Sequence, residues 1–253
     1  MKVTRHDEAR KILQTIAPDQ FCGSNTQLEL SEVVVPGGTT VKALYQQGRG
    51  PGTALFWLCF FMCLLTLYAL GSWLPKLMMA AGYSLGSSLM FLLAMNIGAV
   101  IGTVGGGILA DRFHLKPVII TLCLAGAVAL SLLGFNSPQP VIYFLVAVAG
   151  ASAIGSQILL YSYVAQYYPL SVRSTGIGWA SAIGRTGAIV GPILIGFLLA
   201  KELPHQINFM AVGLPVVIAA IAVFFIGKSE TEEETIQTLA PTEKDLKTQR
   251  ALS

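Results

Sequence analysis

The sequence predicts an all-α integral membrane protein, a single six-transmembrane-helix bundle. Three observations carry this. Of the 253 residues, 54% are hydrophobic and only 11% are charged, where a soluble domain holds about 25% charged residues. The mean hydropathy is +0.67. The apolar residues gather into six continuous runs long enough to cross a bilayer as helices, rather than into the short alternating segments of a barrel.

The spans read as Thr53 to Met79, Ser87 to Ala110, Pro117 to Phe135, Val141 to Val164, Gly176 to Ala200 and Ile207 to Gly227, giving a membrane domain over 53–227. Each must be helical, because in lipid only a helix satisfies its own backbone polar groups without a closed sheet. Residues 1–52 read as a cytoplasmic segment. It opens with one amphipathic stretch, Ala9, Ile12, Leu13 and Ile16, that Pro18 ends, and continues as a linker marked by Gly37, Gly38, Gly48, Gly50 and Pro51. The first fifty residues hold no apolar core segment, so no signal peptide is expected. Residues 228–253, with Glu230, Glu232, Glu233 and Glu234 and few apolar side chains, read as a disordered cytoplasmic tail.

Basic residues orient the bundle. Arg112, Lys116 and Arg173 occupy the loops after an even number of spans, together with Lys42, Arg49 and Lys228, whereas the opposite side carries Lys76 and Lys201 at helix ends. Positive charge stays inside. Both termini are therefore expected in the cytoplasm, and the net charge of +3 reflects topology rather than nucleic-acid binding.

Catalytic and metal chemistry finds little support. Cys59 and Cys63 share a face of the first span, Cys123 lies in the third and Cys22 precedes the membrane domain, which gives no CxxC pair or metal quartet. His6, His114 and His205 are scattered, and no HExxH or Walker string is present. No metal or cofactor is expected.

Arg185 is the residue that asks for a function. It lies inside the apolar run GWASAIGRTGAIVGPILIGFLLA, where a cation costs roughly 2.5 to 3.5 kcal/mol at mid-helix and so faces a protein interior or a water-filled cavity. Small residues surround it. Gly184, Gly187, Gly191 and Pro192 smooth the fifth span, and Gly98, Gly102, Gly106 and Ala110 recur every four residues in the second, so neighbouring backbones can approach closely. Polar positions at depth add Asn96, Gln157, Tyr161 and Ser181; Gln157 and Tyr161 share one helical face, as do Ser181 and Arg185.

Two strings now carry a resemblance. GILADRFHLK, Gly107 to Lys116, resembles the loop signature between the second and third helices of each half of the major facilitator superfamily, with Gly107, Asp111, Arg112 and Lys116 in register and His114 standing where a glycine is usual. A less tight turn is expected there. QYYPLSVRSTGIGWASAIGRTGAIVGP, Gln166 to Pro192, is more specific and resembles that superfamily's aromatic acid/proton symporter family, the benzoate and 4-hydroxybenzoate transporters. SWLPKLM at Ser72 to Met78 and ARKILQTIAP at Ala9 to Pro18, similar to the central cytoplasmic loop, extend the likeness over 9 to about 227.

The resemblance implies a twelve-helix carrier in two halves, with substrate at the midplane between them, and this sequence corresponds to the central loop and the C-terminal half. The family's proton-binding acids belong to the first half; here no Asp or Glu lies within a span apart from Asp111 at a helix end. A truncated reading frame, one piece of a split gene or a fragment of a longer carrier is implied, with a separate N-terminal six-helix half, protons, the lipid bilayer and an aromatic carboxylate as partners, the proton gradient as energy source and a bacterial inner membrane as location. Arg185 would pair with the substrate carboxylate through its planar fork, or else clamp the fifth span by an ion pair or a carbonyl. Ser181, Gln157, Tyr161, Asn96 and Trp179 are further cavity candidates that could equally join helix to helix. Gly107, Asp111, Arg112, Lys116 and Arg173 would belong to the cytoplasmic gate, or serve only topology. Other readings are a carrier for another organic anion such as muconate, and a transport-silent module that packs against a partner.

Overall fold

The computed structural model describes residues 41 to 227 apart from 47, 81, 136, 202 and 203. Among these residues it is wholly helical. A short 3-10 turn, Val41–Tyr45, precedes α1 (Gly50–Ala80), α2 (Leu85–Phe113), α3 (Leu115–Leu133), α4 (Gln139–Tyr167), α5 (Arg173–Ala200) and α6 (His205–Phe225). All six α-helices are long and apolar enough to cross a membrane. The expected amphipathic stretch around Ala9 to Pro18 and the acidic tail lie outside the described residues.

Local chemistry sets the helix starts. Pro51 and Pro140 sit in the first turns of α1 and α4, where an amide hydrogen would be unpaired anyway and a fixed φ suits the helix. Ser84 caps α2 by accepting from the Ser87 amide at 3.3 Å. The helices also run past the expected spans at most ends, while Phe135 and Gly227 fall just outside α3 and α6. The linker reading is corrected at its C-terminal end. Gly50 and Pro51 are helical, and residues 41–45 fold onto α1, with Leu44 buried and Tyr45 edge-on to Trp57 at 5.9 Å.

A second correction concerns the α2–α3 connection. His114 alone joins the two helices, with φ 72 and ψ 154, a backbone region that is essentially glycine's. The turn is as tight as glycine would make it, and histidine bears the strain.

Packing follows the glycines. α1 lies closest along α5, and α2 along α4. A Cβ at Gly98 or Gly102 would run into the α4 backbone at Ala147 and Ala151, and one at Gly150 into the Met95 carbonyl of α2. Likewise Gly184, Gly187 and Gly191 of α5 rest against Phe60, Phe61 and Leu65 of α1. In lipid, where apolar side chains gain little by leaving the solvent, such backbone approach supplies van der Waals contact and holds helices together. α3 packs against α4 and α6, and α6 closes against α1. α5 is the least covered span: 22% of its most apolar stretch is buried, against 56% in α4 and α6.

Candidate functional site

α4 and α5 follow each other in sequence yet touch sparsely. Between them the Tyr161 hydroxyl of α4 lies 3.1 Å from the Ser181 hydroxyl of α5. The Tyr161 ring is held edge-on by Phe60 of α1, centroids 4.9 Å apart, so α1 packs beside the pair. One turn along α4 comes Gln157, and one turn along α5 comes Arg185. Because consecutive spans run antiparallel, these two steps lead in the same direction and bring Gln157 and Arg185 to one depth, about 6 Å from the hydroxyl pair.

The two differ in surroundings. Arg185 is exposed on the outer flank of α5 and has no hydrogen bond or ion pair with a described residue. Its neighbours Gly184 and Gly187 face α1. Gln157 is 5% exposed, and neither its amide nitrogen nor its oxygen has a partner among the described residues. The structure thus gathers four of the expected cavity residues into one ladder. It does not bring Asn96 or Trp179 to it. Asn96 is exposed on α2 and donates to the Leu92 carbonyl at 2.8 Å; Trp179, two residues before Ser181 and therefore on another flank of α5, lies against Trp57 with centroids 6.2 Å apart.

The expected gate residues spread over one end of the bundle. Asp111 and Arg112 are exposed in the last turn of α2, the arginine 5.8 Å from the Phe113 ring. Gly107 has open space where a Cβ would stand, so the bundle itself does not require glycine there. Lys116 donates to the Ile226 carbonyl at 2.6 Å, placing a cation at the C-terminal end of α6 where the helix dipole favours it. Arg173 donates from Nε to the Tyr168 carbonyl at 3.3 Å.

Sequence reasoning missed two clusters. Thr53 Oγ1 lies 2.7 Å from the Tyr168 hydroxyl and 3.0 Å from the carbonyls of both Leu44 and Arg49, binding the 3-10 turn to α1 and to the end of α4. Burial pushes the Tyr168 phenol up to about 12. In the core, Cys123 Sγ lies 3.4 Å from the Ser156 hydroxyl and joins α3 to α4. No periodicity could have flagged these pairings, since each partner is an ordinary core residue on its own helix.

The profile of the Major Facilitator Superfamily matches residues 56–252. The chain belongs to that superfamily. It is 50% identical over 186 residues to a benzoate transport protein of Acinetobacter baylyi, covering 74% of this chain and 40% of that one. It is 44% identical to a gentisate transporter of Corynebacterium glutamicum, covering 66% of this chain and 38% of that protein. A 4-hydroxybenzoate transporter of Pseudomonas putida shares 32% identity over 87% of this chain and 50% of its own. The chain spans about half or less of the length of these relatives. They are transporters, not enzymes, and this superfamily member is a multi-pass membrane protein similar to carriers of aromatic acids.

Proposed function

We propose that this superfamily member serves transmembrane transport of aromatic carboxylates by proton symport, as the C-terminal half of a truncated or split carrier. The observation that carries the reading is Arg185: a cation at mid-span, exposed on the least covered helix and unpaired among the described residues. An unpaired cation there is costly against lipid. It is accommodated if α5 faces a water-filled cavity shared with another half, where a carboxylate can take the guanidinium by two parallel hydrogen bonds. Ser181 and Tyr161 would line the same cavity at the next turn. The relatives' names supply the substrate class, and the proton-binding acid would lie on the other half of the carrier. By the distribution of basic residues, both termini and the Asp111 loop would lie in the cytoplasm and the protein in a bacterial inner membrane. Asp111, Arg112 and Arg173 would then gate the cytoplasmic side, with Lys116 fixing the neighbouring α6.

The test is uptake of labelled benzoate or 4-hydroxybenzoate in cells lacking such carriers. Accumulation against a gradient is expected on coexpression with a matching six-helix first half, and is not expected from this chain alone. Proton-dependent uptake by the purified chain in liposomes would replace the half-carrier reading with a homodimeric one.

A further inference from the structure

α1 and α5 run parallel, and glycines bring their backbones together in step. Gly184 rests on Phe60, Gly187 on Phe61 and Gly191 on Leu65. Beyond Gly191 the contact changes character. The next glycine, Gly196, meets the Trp73 indole instead of backbone, with Cζ2 3.2 Å from where its Cβ would stand. The indole is thus wedged between the two helices, and its Nε1 donates to the Pro192 carbonyl at 2.9 Å. Lys76 Nζ lies 4.5 Å from the ring centroid and adds a cation–π contact.

The wedge sits where both helices are interrupted. Pro192 lies inside α5 and Pro75 inside α1. Proline has no amide hydrogen, so the Ala188 and Gly71 carbonyls lose their helical donors. Helices bend at such places. Past the interruption little fastens α5 to the bundle: it touches α4 and α6 sparsely, and of residues 192–200 only Ile195 is buried, with Leu198 and Leu199 partly covered. Among the described residues, the Trp73 bond is this segment's one side-chain hydrogen bond to another helix.

We propose that residues 192–200 of α5 swing as a unit about Gly191–Pro192, and that the Trp73 indole is the latch that keeps the unit against α1. Breaking the Trp73–Pro192 bond parts α1 and α5 at the end of the bundle opposite the Asp111 loop, while the contacts of Gly184, Gly187 and Gly191 stay closed.

The experiment is amide hydrogen exchange of the full chain in nanodiscs, comparing residues 177–187 with 193–200 of α5 in the wild type, Trp73→Phe, Pro192→Ala and the double variant, with the melting temperature of each. Phenylalanine keeps a ring in the wedge and removes the donor. Alanine restores the amide hydrogen at position 192 and leaves the carbonyl that Trp73 uses. Exchange follows the local opening equilibrium, which one hydrogen bond shifts by about three- to tenfold. Trp73→Phe is expected to speed 193–200 by that factor and to leave 177–187 and the melting temperature nearly unchanged. Pro192→Ala is expected to slow 193–200 on its own and to cancel the effect of Trp73→Phe. Unchanged exchange at 193–200 in Trp73→Phe overturns the latch. Faster exchange along the whole helix with a lower melting temperature shows an ordinary packing role and overturns it as well. If Pro192→Ala slows nothing, or the double variant still exchanges fast at 193–200, the helix end frays without a hinge and the proposal fails.

Discussion

The hydroxyls of Tyr161 and Ser181, twenty residues apart in sequence, meet at 3.1 Å and bridge α4 and α5 where those helices otherwise touch little. In bilayers such interhelical bonds are worth about 0.6 kcal/mol on average. A double-mutant cycle of Tyr161→Phe and Ser181→Ala, read by thermal unfolding in nanodiscs, should return a coupling of about that size. Strict additivity would mean that the pair does not hold α4 and α5 together.

Arg185 separates a substrate role from a packing role. Arg185→Lys keeps the charge but loses the fork, and should weaken aromatic-acid binding by the two-half carrier partially; Arg185→Ala should nearly abolish it. Loss of such a contact costs about 2 to 5 kcal/mol, roughly 30-fold to several thousand-fold in affinity. If abundance or stability falls while affinity in the surviving protein stays unchanged, the residue is structural.

His114 at φ 72 predicts a stabilising substitution. Non-glycine residues in that backbone region cost about 1 to 3 kcal/mol, and the histidine side chain is exposed, so little contact is lost on its removal. His114→Gly should raise the melting temperature of the purified chain. An unchanged or lower value would show that the turn is relaxed, or that the imidazole has a partner.

Tyr168 gives the pH dependence. Its buried phenol is held at about 12, above the roughly 10 of a free tyrosine, so the fold favours the neutral form. The stability this contributes is whole below pH about 10 and is lost as the pH rises from about 10 to about 12. Ultraviolet titration of phenolate should show a late component that Tyr168→Phe removes. Ionisation of every tyrosine in the ordinary range would contradict the buried site.

Topology is checked by cysteine labelling in a background free of native cysteines. Ser137→Cys, between α3 and α4, should react in intact cells with a reagent that does not cross the membrane, and Ser171→Cys, between α4 and α5, only after permeabilisation. The reverse pattern would invert the bundle and move the Asp111 loop out of the cytoplasm.

Much of this was legible in the residues. The six spans, the glycine strips of α2 and α5, the family strings and the anomalous Arg185 all report physics that acts within one helix: a bilayer rewards continuous apolar runs, and a periodic strip of small residues announces close packing. Such periodicity names a face but not its occupant. Only the tertiary structure decided that Gly98 and Gly102 meet α4 while Gly184 and Gly187 meet α1, that Gln157 is buried while Arg185 is exposed, and that Cys123 reaches Ser156 and Thr53 reaches Tyr168. These are matters of partner choice between segments far apart in sequence, fixed by which pairs of surfaces fit backbone to backbone. The His114 turn shows the same division. Sequence alone suggested that replacing a glycine would loosen the connection, but the packing of α2 and α3 into the bundle holds it tight and imposes on histidine a backbone that glycine would adopt freely.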